Sequence, residues 1–220
     1  MTSVKNTQPI TIGFVNQKGG VGKTTLAVHC AYWCSKKGSA IVIDADAQQS
    51  SSNWLKDLEI PCKVVNDPED LLDALAVLPE QYDSVIVDGP GGMSEVTKAI
   101  LYGVDIALVP CKPSALDTHS SSRIIRMIRQ AQKIRSGKPK SVMFLNQAVK
   151  GTLLLRDSLE MLNNFGFPSL KSIIYNRQAI CDAPGQGTTV WGISGSAAKA
   201  ARKDFEALFQ EVIKLAHEQE

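Results

Sequence analysis

An apolar run from Ile10 to Val15 stops at Lys18-Gly19-Gly20-Val21-Gly22-Lys23-Thr24-Thr25, after which apolar residues recur with helical period. No other stretch constrains the fold as tightly. Glycines at 19, 20 and 22 let the chain turn sharply from strand to helix while successive backbone N–H groups converge on one point. The helix that follows adds the positive end of its dipole, so the turn is built for a phosphate group. Lys23 is placed to meet the outer phosphate oxygens, and the Thr24 hydroxyl to ligate Mg²⁺. Gly19, Gly20, Val21, Gly22, Lys23, Thr24 and Thr25 form the candidate cradle.

The rest of the chain supports that context. Short apolar runs at 40–43, 85–87, 106–109, 142–145 and 170–174 alternate with longer segments of helical period and read as buried strands. This βαβα rhythm predicts an α/β fold: a single doubly wound, mostly parallel sheet with helices on both faces. Gly38 ends the first helix, Pro68 opens another, and Gly137 with Pro139 stops the helix that begins near Asp117. At 220 residues one core is the expectation, with residues 1–9 a polar N-terminal tail and 10–220 one domain. No stretch reads as a signal peptide or a membrane span.

Ligands of such a sheet gather at the carboxyl ends of its strands. The second strand ends in Asp44-Ala45-Asp46, carboxylates that suit metal and water chemistry beside the phosphate loop, although turn and cap chemistry would use the same residues. The third long run ends in Asp88, followed by the glycine-rich bend Gly89-Pro90-Gly91-Gly92; Asp88 is placed to hold Mg²⁺ through water. A further run ends at Asn146, whose amide can both donate and accept or can cap the next turn.

The common phosphate-loop pattern is G-x-x-x-x-G-K-[ST], but Lys18 stands where its first glycine would be. In this the chain resembles the ParA/MinD family from Ile10 onward, most specifically over Asn16 to Thr25. The resemblance implies an Mg²⁺-dependent ATPase that forms an ATP-dependent homodimer, with Lys18 reaching the nucleotide of the second copy. It also implies that Asp44 orders water around Mg²⁺, that Asp46 positions the attacking water, that Asn146 recognises adenine and that Pro184 packs on the base. Lys18, Lys23 and Asp46 are thus the catalytic candidates, and Thr24, Asp44 and Asp88 the metal candidates. Relatives often have proline where Ala47 stands, so the switch segment here is softer. With no strong general base, hydrolysis is expected to be slow and stimulated by a partner, a small ParB-like or cargo-adaptor protein.

Lys plus Arg total 24 against 22 for Asp plus Glu, so any nucleic-acid surface must be local. Eight basic residues and no acids lie between Ser121 and Lys150. At 100° per residue, Arg123, Arg126, Arg129 and Lys133 share one helix face, with Ile124, Ile125, Ile128 and Ala131 on the other. That face is either an ordinary solvated surface or a phosphate-backbone contact. A second cluster is Arg177, Lys199, Arg202 and Lys203; Tyr175-Asn176-Arg177 followed by Asp182-Ala183-Pro184 resembles the late ParA segment that contributes to nonspecific DNA binding. A dimer doubles each patch, and counterion release would make its DNA binding much tighter than the monomer's. There is no base-reading motif.

A MinD-like membrane-cycling ATPase would share these motifs and add a basic amphipathic carboxyl-terminal helix. Here Phe205, Leu208, Phe209 and Val212 read as core, and the chain ends in the acidic Glu218-Gln219-Glu220. An iron–sulfur carrier would need cysteines near the subunit interface. The five present are scattered without a CxxC pair, and read as reduced thiols of a cytosolic protein. A ligase on the same scaffold would need a substrate clamp, and none is recognisable. His29, His119 and His217 read as structural or solvated. The function the resemblance implies is that of a small ParA-type ATPase that partitions plasmid DNA or positions another cargo, expected to be cytoplasmic and nucleoid-associated when ATP-bound.

Overall fold

A computed structural model describes residues 8–217. The rest of the polar N-terminal segment, and the acidic end from Glu218, lie outside the described residues. Six strands form one parallel sheet: β1 (Ile10–Asn16), β2 (Ala40–Asp44), β3 (Cys62–Val64), β4 (Ser84–Gly91), β5 (Ile106–Cys111) and β6 (Lys140–Leu145), in the order β3-β2-β4-β1-β5-β6. Alternate strand residues feed two apolar layers, as the pleat requires. One face of β1, β4, β5 and β6 contributes Phe14, Ile86, Leu108 and Phe144; the opposite face contributes Val15, Val87, Val109 and Leu145.

The first layer is covered by α1 (Lys23–Ser35), α2 (Ser50–Leu55) and α8 (Ser196–His217). The second is covered by α3 (Pro68–Gln81), α4 (Glu95–Gly103), α5 (Thr118–Ile134) and α6 (Leu153–Asn164). A short α7 (Gln178–Asp182) precedes α8. Four of these helices begin on side-chain caps that satisfy otherwise unpaired backbone N–H groups. Asp67 caps α3, with Pro68 following, Ser94 caps α4, Asp117 caps α5 and Thr152 caps α6. Helix α1 differs: Gly22 stands at its cap with no side-chain bond, which leaves first-turn N–H groups for a ligand.

Two strand expectations need correction. The segment 170–174 is not a strand: isolated bridges at Ser169 and Tyr175 flank it, and only the Leu170 and Ile174 N–H groups donate to β6, to the Met143 and Leu145 carbonyls at 2.9 and 3.0 Å. The Lys171 and Ser172 N–H groups donate instead to the Glu211 carboxylate of α8, at 2.9 and 3.0 Å, so no continuous ladder forms. Strand β3, only three residues long, half exposed at the sheet edge, was not foreseen. Phe205, Leu208, Phe209 and Val212 are buried, as the apolar pattern of the last helix predicts.

Among the histidines, His29 on α1 is fully buried and stacked on Phe205 with ring centroids 4.3 Å apart. Its Nε2 accepts from the Val190 N–H at 3.2 Å, so the proton sits on Nδ1 and is donated to the Thr25 carbonyl at 2.7 Å. Burial pushes its pKa down to about 4, against a partial upward pull from that carbonyl. The unfolded chain takes up the proton near pH 6.5, so the neutral ring's contribution is complete above 6.5 and is lost as pH falls towards 4. The loss amounts to about 3 kcal/mol at roughly 1.4 kcal/mol per pH unit. Urea unfolding at pH 7 and pH 4.5 is expected to show an acid loss of that order that His29→Gln lacks; equal losses in both proteins would remove His29 as its source.

Candidate nucleotide site

The sheet register assembles the site. Asp44 on β2 pairs directly with Asp88 on β4, and β4 runs beside β1, whose end leads into the phosphate loop. The two strand-ending carboxylates and the loop therefore meet at one edge, where the sequence placed them. Strand β4 continues past Asp88 to Gly91 and bends only afterwards, which corrects the expectation of a bend directly after the acid. Gly89 is part of that continuation: a Cβ there would lie 2.6 Å from the Phe14 carbonyl oxygen, so only glycine lets the strands stay together.

Lys23 is buried over the loop, with its ammonium donating to the Lys18 carbonyl at 3.3 Å. Burial lowers its pKa, and the nearby Asp88 and Asp46 carboxylates pull it back up. The cradle thus holds a cation with its hydration largely stripped and no carboxylate bonded to it, ready for a polyanion. Asp88 is wholly buried, and neither of its oxygens has a hydrogen-bond partner of ordinary geometry among the described residues. Burial raises its pKa to about 7, with the Thr24 and Ser51 hydroxyls and the Lys23 charge pulling down and Asp44 pushing up. The Ser51 hydroxyl, though it acts on Asp88, likewise has no partner of ordinary geometry among the described residues.

Those orphaned oxygens fit a hydrated Mg²⁺. The donors around them, Thr24, Asp88 and Asp44, are all hard oxygens. No group of three or more His, Cys, Asp or Glu able to hold a metal occurs among the described residues. The cation would accordingly be held jointly by the protein and nucleotide phosphates, as Mg²⁺ prefers. Asp44 has a further task that the sequence did not reveal. Its oxygens accept from the Asp46 N–H at 3.2 Å and the Ser52 N–H at 2.8 Å, fixing the switch segment to α2. Asp46, half-buried, accepts from the Gln48 N–H at 3.0 Å and stays close enough to influence Lys23.

Lys18 points away from the cradle. Its ammonium is paired with Asp117, the residue that caps α5, and about a third of the side chain remains exposed. The lysine holds the Asp117 carboxyl well below the usual range, with the Ser120 N–H and hydroxyl adding to the effect. Asp117 is therefore a site residue that the sequence reading missed; it lies 99 positions from Lys18, and nothing in the pattern joins them.

Asn146 and Gln147 clamp the loop from the other side. The Asn146 amide donates to the Val21 carbonyl at 2.7 Å, and the Gln147 amide to the Gly20 carbonyl at 3.0 Å. Gly22, with φ of 88°, leaves room for this contact: a Cβ there would come within 2.4 Å of the Asn146 nitrogen. The structure thus gives Asn146 a loop-bracing bond in addition to the adenine role expected of it, and adds Gln147, which was not foreseen. Pro184 is exposed on a short turn after α7. That turn packs beside α2, where the Trp54 indole donates to the Thr188 carbonyl at 2.8 Å and a Cβ on Gly187 would lie 2.8 Å from Asp57.

The cationic candidates divide. Arg123, Arg126, Arg129 and Lys133 are all exposed on α5, while Ile124, Ile125, Ile128 and Ala131 are buried, as the periodicity predicts. In the second cluster Lys199 and Lys203 are exposed. Arg177 instead donates to Asp204 at 2.7 Å and is mostly covered, and Arg202 donates to the Val190 and Ile193 carbonyls. Arg177 is thus paired with an acid of the fold and Arg202 is bound to backbone carbonyls, while Lys199 and Lys203 are displayed to solvent. Cys30, Cys34 and Cys111 are buried free thiols, and burial pushes Cys111 up to about 12.

The chain is similar to known proteins in sequence and fold. The model of the family described as CobQ/CobB/MinD/ParA nucleotide binding domain matches residues 12–190. Maintenance of carboxysome distribution protein A of Halothiobacillus neapolitanus is 27% identical over 210 residues, covering 92% of this chain and 96% of that protein. Protein IncC of Escherichia coli is 24% identical over 249 residues, covering 90% and 67%. Among solved structures, the ATP complex of an aspartate-to-alanine variant of McdA from Cyanothece superposes with a TM-score of 0.78 at 16% identity, covering 94% of this chain and 97% of that one. The cell division protein MinD of Aquifex aeolicus gives 0.69 at 20% identity, covering 92% and 97%. With four-fifths of its length matched, and with the cradle, the paired aspartates and the second loop lysine in place, the chain belongs to the CobQ/CobB/MinD/ParA nucleotide-binding domain family.

Proposed function

We propose that this protein is a ParA-type positioning ATPase: ATP closes two copies into a dimer, the dimer holds DNA without sequence preference, and partner-stimulated hydrolysis releases monomers. One observation carries the reading. The phosphate loop bears two lysines, of which Lys23 lies buried over its own cradle while Lys18 is turned outward to Asp117 on the rim. A cation in that position is of no use to its own nucleotide and is available to a second copy facing it. Once Lys18 leaves Asp117, its charge adds to the phosphates only in a closed pair, which makes ATP the adhesive of the dimer.

In this reading Lys23 neutralises the β and γ oxygens, and Asp46 orients the attacking water. Asp44 fixes the segment that carries Asp46. Thr24 and Asp88 hold Mg²⁺, which when bound spreads the charge that develops on the phosphates. The Asn146 oxygen is left to accept from the adenine amino group. The exposed cations Lys199 and Lys203, with Arg123 on α5, supply DNA contacts that dimerisation doubles. Relatives are named for carboxysome distribution and for partition, and the proposed role here is distribution of a cargo of that scale, DNA or protein assembly, from the cytoplasm over the nucleoid.

Sedimentation with ATP, with ADP and without nucleotide, each with and without duplex DNA or anionic vesicles, tests the reading. The expected result is a dimer with ATP alone and co-sedimentation of that dimer with DNA, weakening steeply with salt. A monomer in every nucleotide state would overturn it, and ATP-dependent pelleting with vesicles instead of DNA would reassign the chain to membrane cycling.

A further inference from the structure

Helix α5 presents more than a row of charges. Ser122, Ile125, Arg126, Arg129, Gln130 and Lys133 form one wall of a surface groove of about 430 Å³, and Phe165, just after α6, forms the other. Arg129 spans it, donating to the Gly166 carbonyl at 3.3 Å. The wall residues recur three and four apart, so they make a continuous stripe along the helix. Three of them are cationic and no carboxylate lines the groove; Phe165 is half-buried and supplies its apolar surface, while Ile125 lies buried at its floor.

We infer that this groove is a docking site for an acidic segment of a partner protein that inserts one bulky apolar side chain. Charge complementarity argues for the acid: Arg126, Arg129 and Lys133 lie in a stretch of chain with no acidic residue to neutralise them, and arginine forks bind carboxylates in bidentate fashion. The shape argues against duplex DNA, the other polyanion that such charges would attract. A hollow of this volume is the size of a few side chains, and phosphates gain nothing from the half-buried Phe165 ring. An apolar anchor ringed by cations is instead the pattern of a peptide-binding hot spot. The inference names a partner class for the proposed positioning ATPase and rests on that reading only for its purpose, because the groove is complete in a single chain.

Peptide binding can therefore be measured without nucleotide, by fluorescence anisotropy with the full chain. The probes are 12-residue peptides of Glu and Ser carrying one Leu, Phe or Trp at successive positions, the same peptides with Ala there, and a labelled duplex DNA. At least one anchored peptide is expected to bind ten-fold or more tightly than its Ala counterpart. Arg126→Glu with Lys133→Glu should weaken that binding at least ten-fold, and Phe165→Ala should reduce the anchored peptide to the level of the Ala peptide. Lys199→Glu with Lys203→Glu should leave it unchanged while lowering ATP-dependent retention on DNA. Absence of binding by every anchored peptide, equal binding with and without the anchor, or displacement of the peptide by duplex DNA through Arg126 and Lys133 would each overturn the inference. A failed dimer in the sedimentation experiment would leave peptide binding intact, so the two readings fail separately.

Discussion

Alanine in place of Lys23 is expected to weaken ATP binding by on the order of 100-fold while leaving the fold as stable as before. The ammonium is buried over the loop and, among the described residues, is bonded to a backbone carbonyl at 3.3 Å. It therefore contributes little to the nucleotide-free chain, and burying it carries a desolvation cost, seen in its lowered pKa. With phosphates present the balance reverses. Two charge-assisted hydrogen bonds at about 1.5 kcal/mol or more each give roughly 3 kcal/mol, and each 1.4 kcal/mol is a factor of ten. Asp88 and Asp46 sharpen the effect, because without Lys23 a polyanion would face two carboxylates with no cation between them. Calorimetric titration with ATP and Mg²⁺, together with thermal melts of the nucleotide-free proteins, separates the outcomes. Ordinary affinity in the variant would refute the cradle assignment, and an earlier melt would mean that Lys23 holds the fold and not the ligand.

What the sequence could and could not show follows from the range of each interaction. The loop, the aspartates of β2 and β4 and the basic stripe of α5 were legible because each is a local pattern whose periodicity or spacing has one structural solution. The edge strand β3 was not, since three half-exposed residues carry no periodicity. The segment 170–174 was misread because its apolar content is that of a strand, whereas Glu211 on a distant helix takes the N–H groups a ladder would need. Charge clusters misled in the same way. Arg177 and Arg202 look like surface cations until Asp204 and the carbonyls at 190 and 193 are brought beside them. The pairing of Lys18 with Asp117 and the clamp of Gln147 on Gly20 link positions 99 and 127 residues apart, and only the folded chain reveals them.

The Lys18–Asp117 pair also bears on how the site responds to nucleotide. Asp117 serves two functions at once, capping α5 through the Ser120 N–H at 2.8 Å and holding the Lys18 ammonium. An exposed pair of this kind is individually weak, worth about 0–1 kcal/mol, so it can hold Lys18 at rest without locking it there. In the proposed dimer, the phosphates of a second copy, carrying several negative charges in a closed interface, would offer the lysine a stronger partner. The cap on α5 uses the other carboxylate oxygen, Oδ1, so it does not compete with that exchange.

Removal of the Asp46 carboxylate should separate binding from turnover. Among the described residues the Asp46 carboxylate accepts one hydrogen bond, from the Gln48 N–H, while its backbone is held separately by Asp44 and Gln49. Asp46→Asn keeps an acceptor for Gln48 and loses only the charge, so the segment should hold its shape. Orientation and activation of a water by a positioned carboxylate are worth roughly 10²–10⁴-fold, and turnover is expected to fall by that factor. ATP affinity should change little, because Lys23 and the loop N–H groups are untouched. With hydrolysis blocked, each ATP-loaded copy persists, and the dimer should accumulate at ATP concentrations where the wild-type protein has reverted to monomer. Phosphate release under single-turnover conditions, read beside sedimentation of the same samples, decides the matter. Unchanged turnover would remove the water-positioning role from Asp46. Blocked turnover with bound ATP and no dimer would leave the catalytic site standing and refute the reach of Lys18 across an interface, since nothing but hydrolysis should then part the two copies.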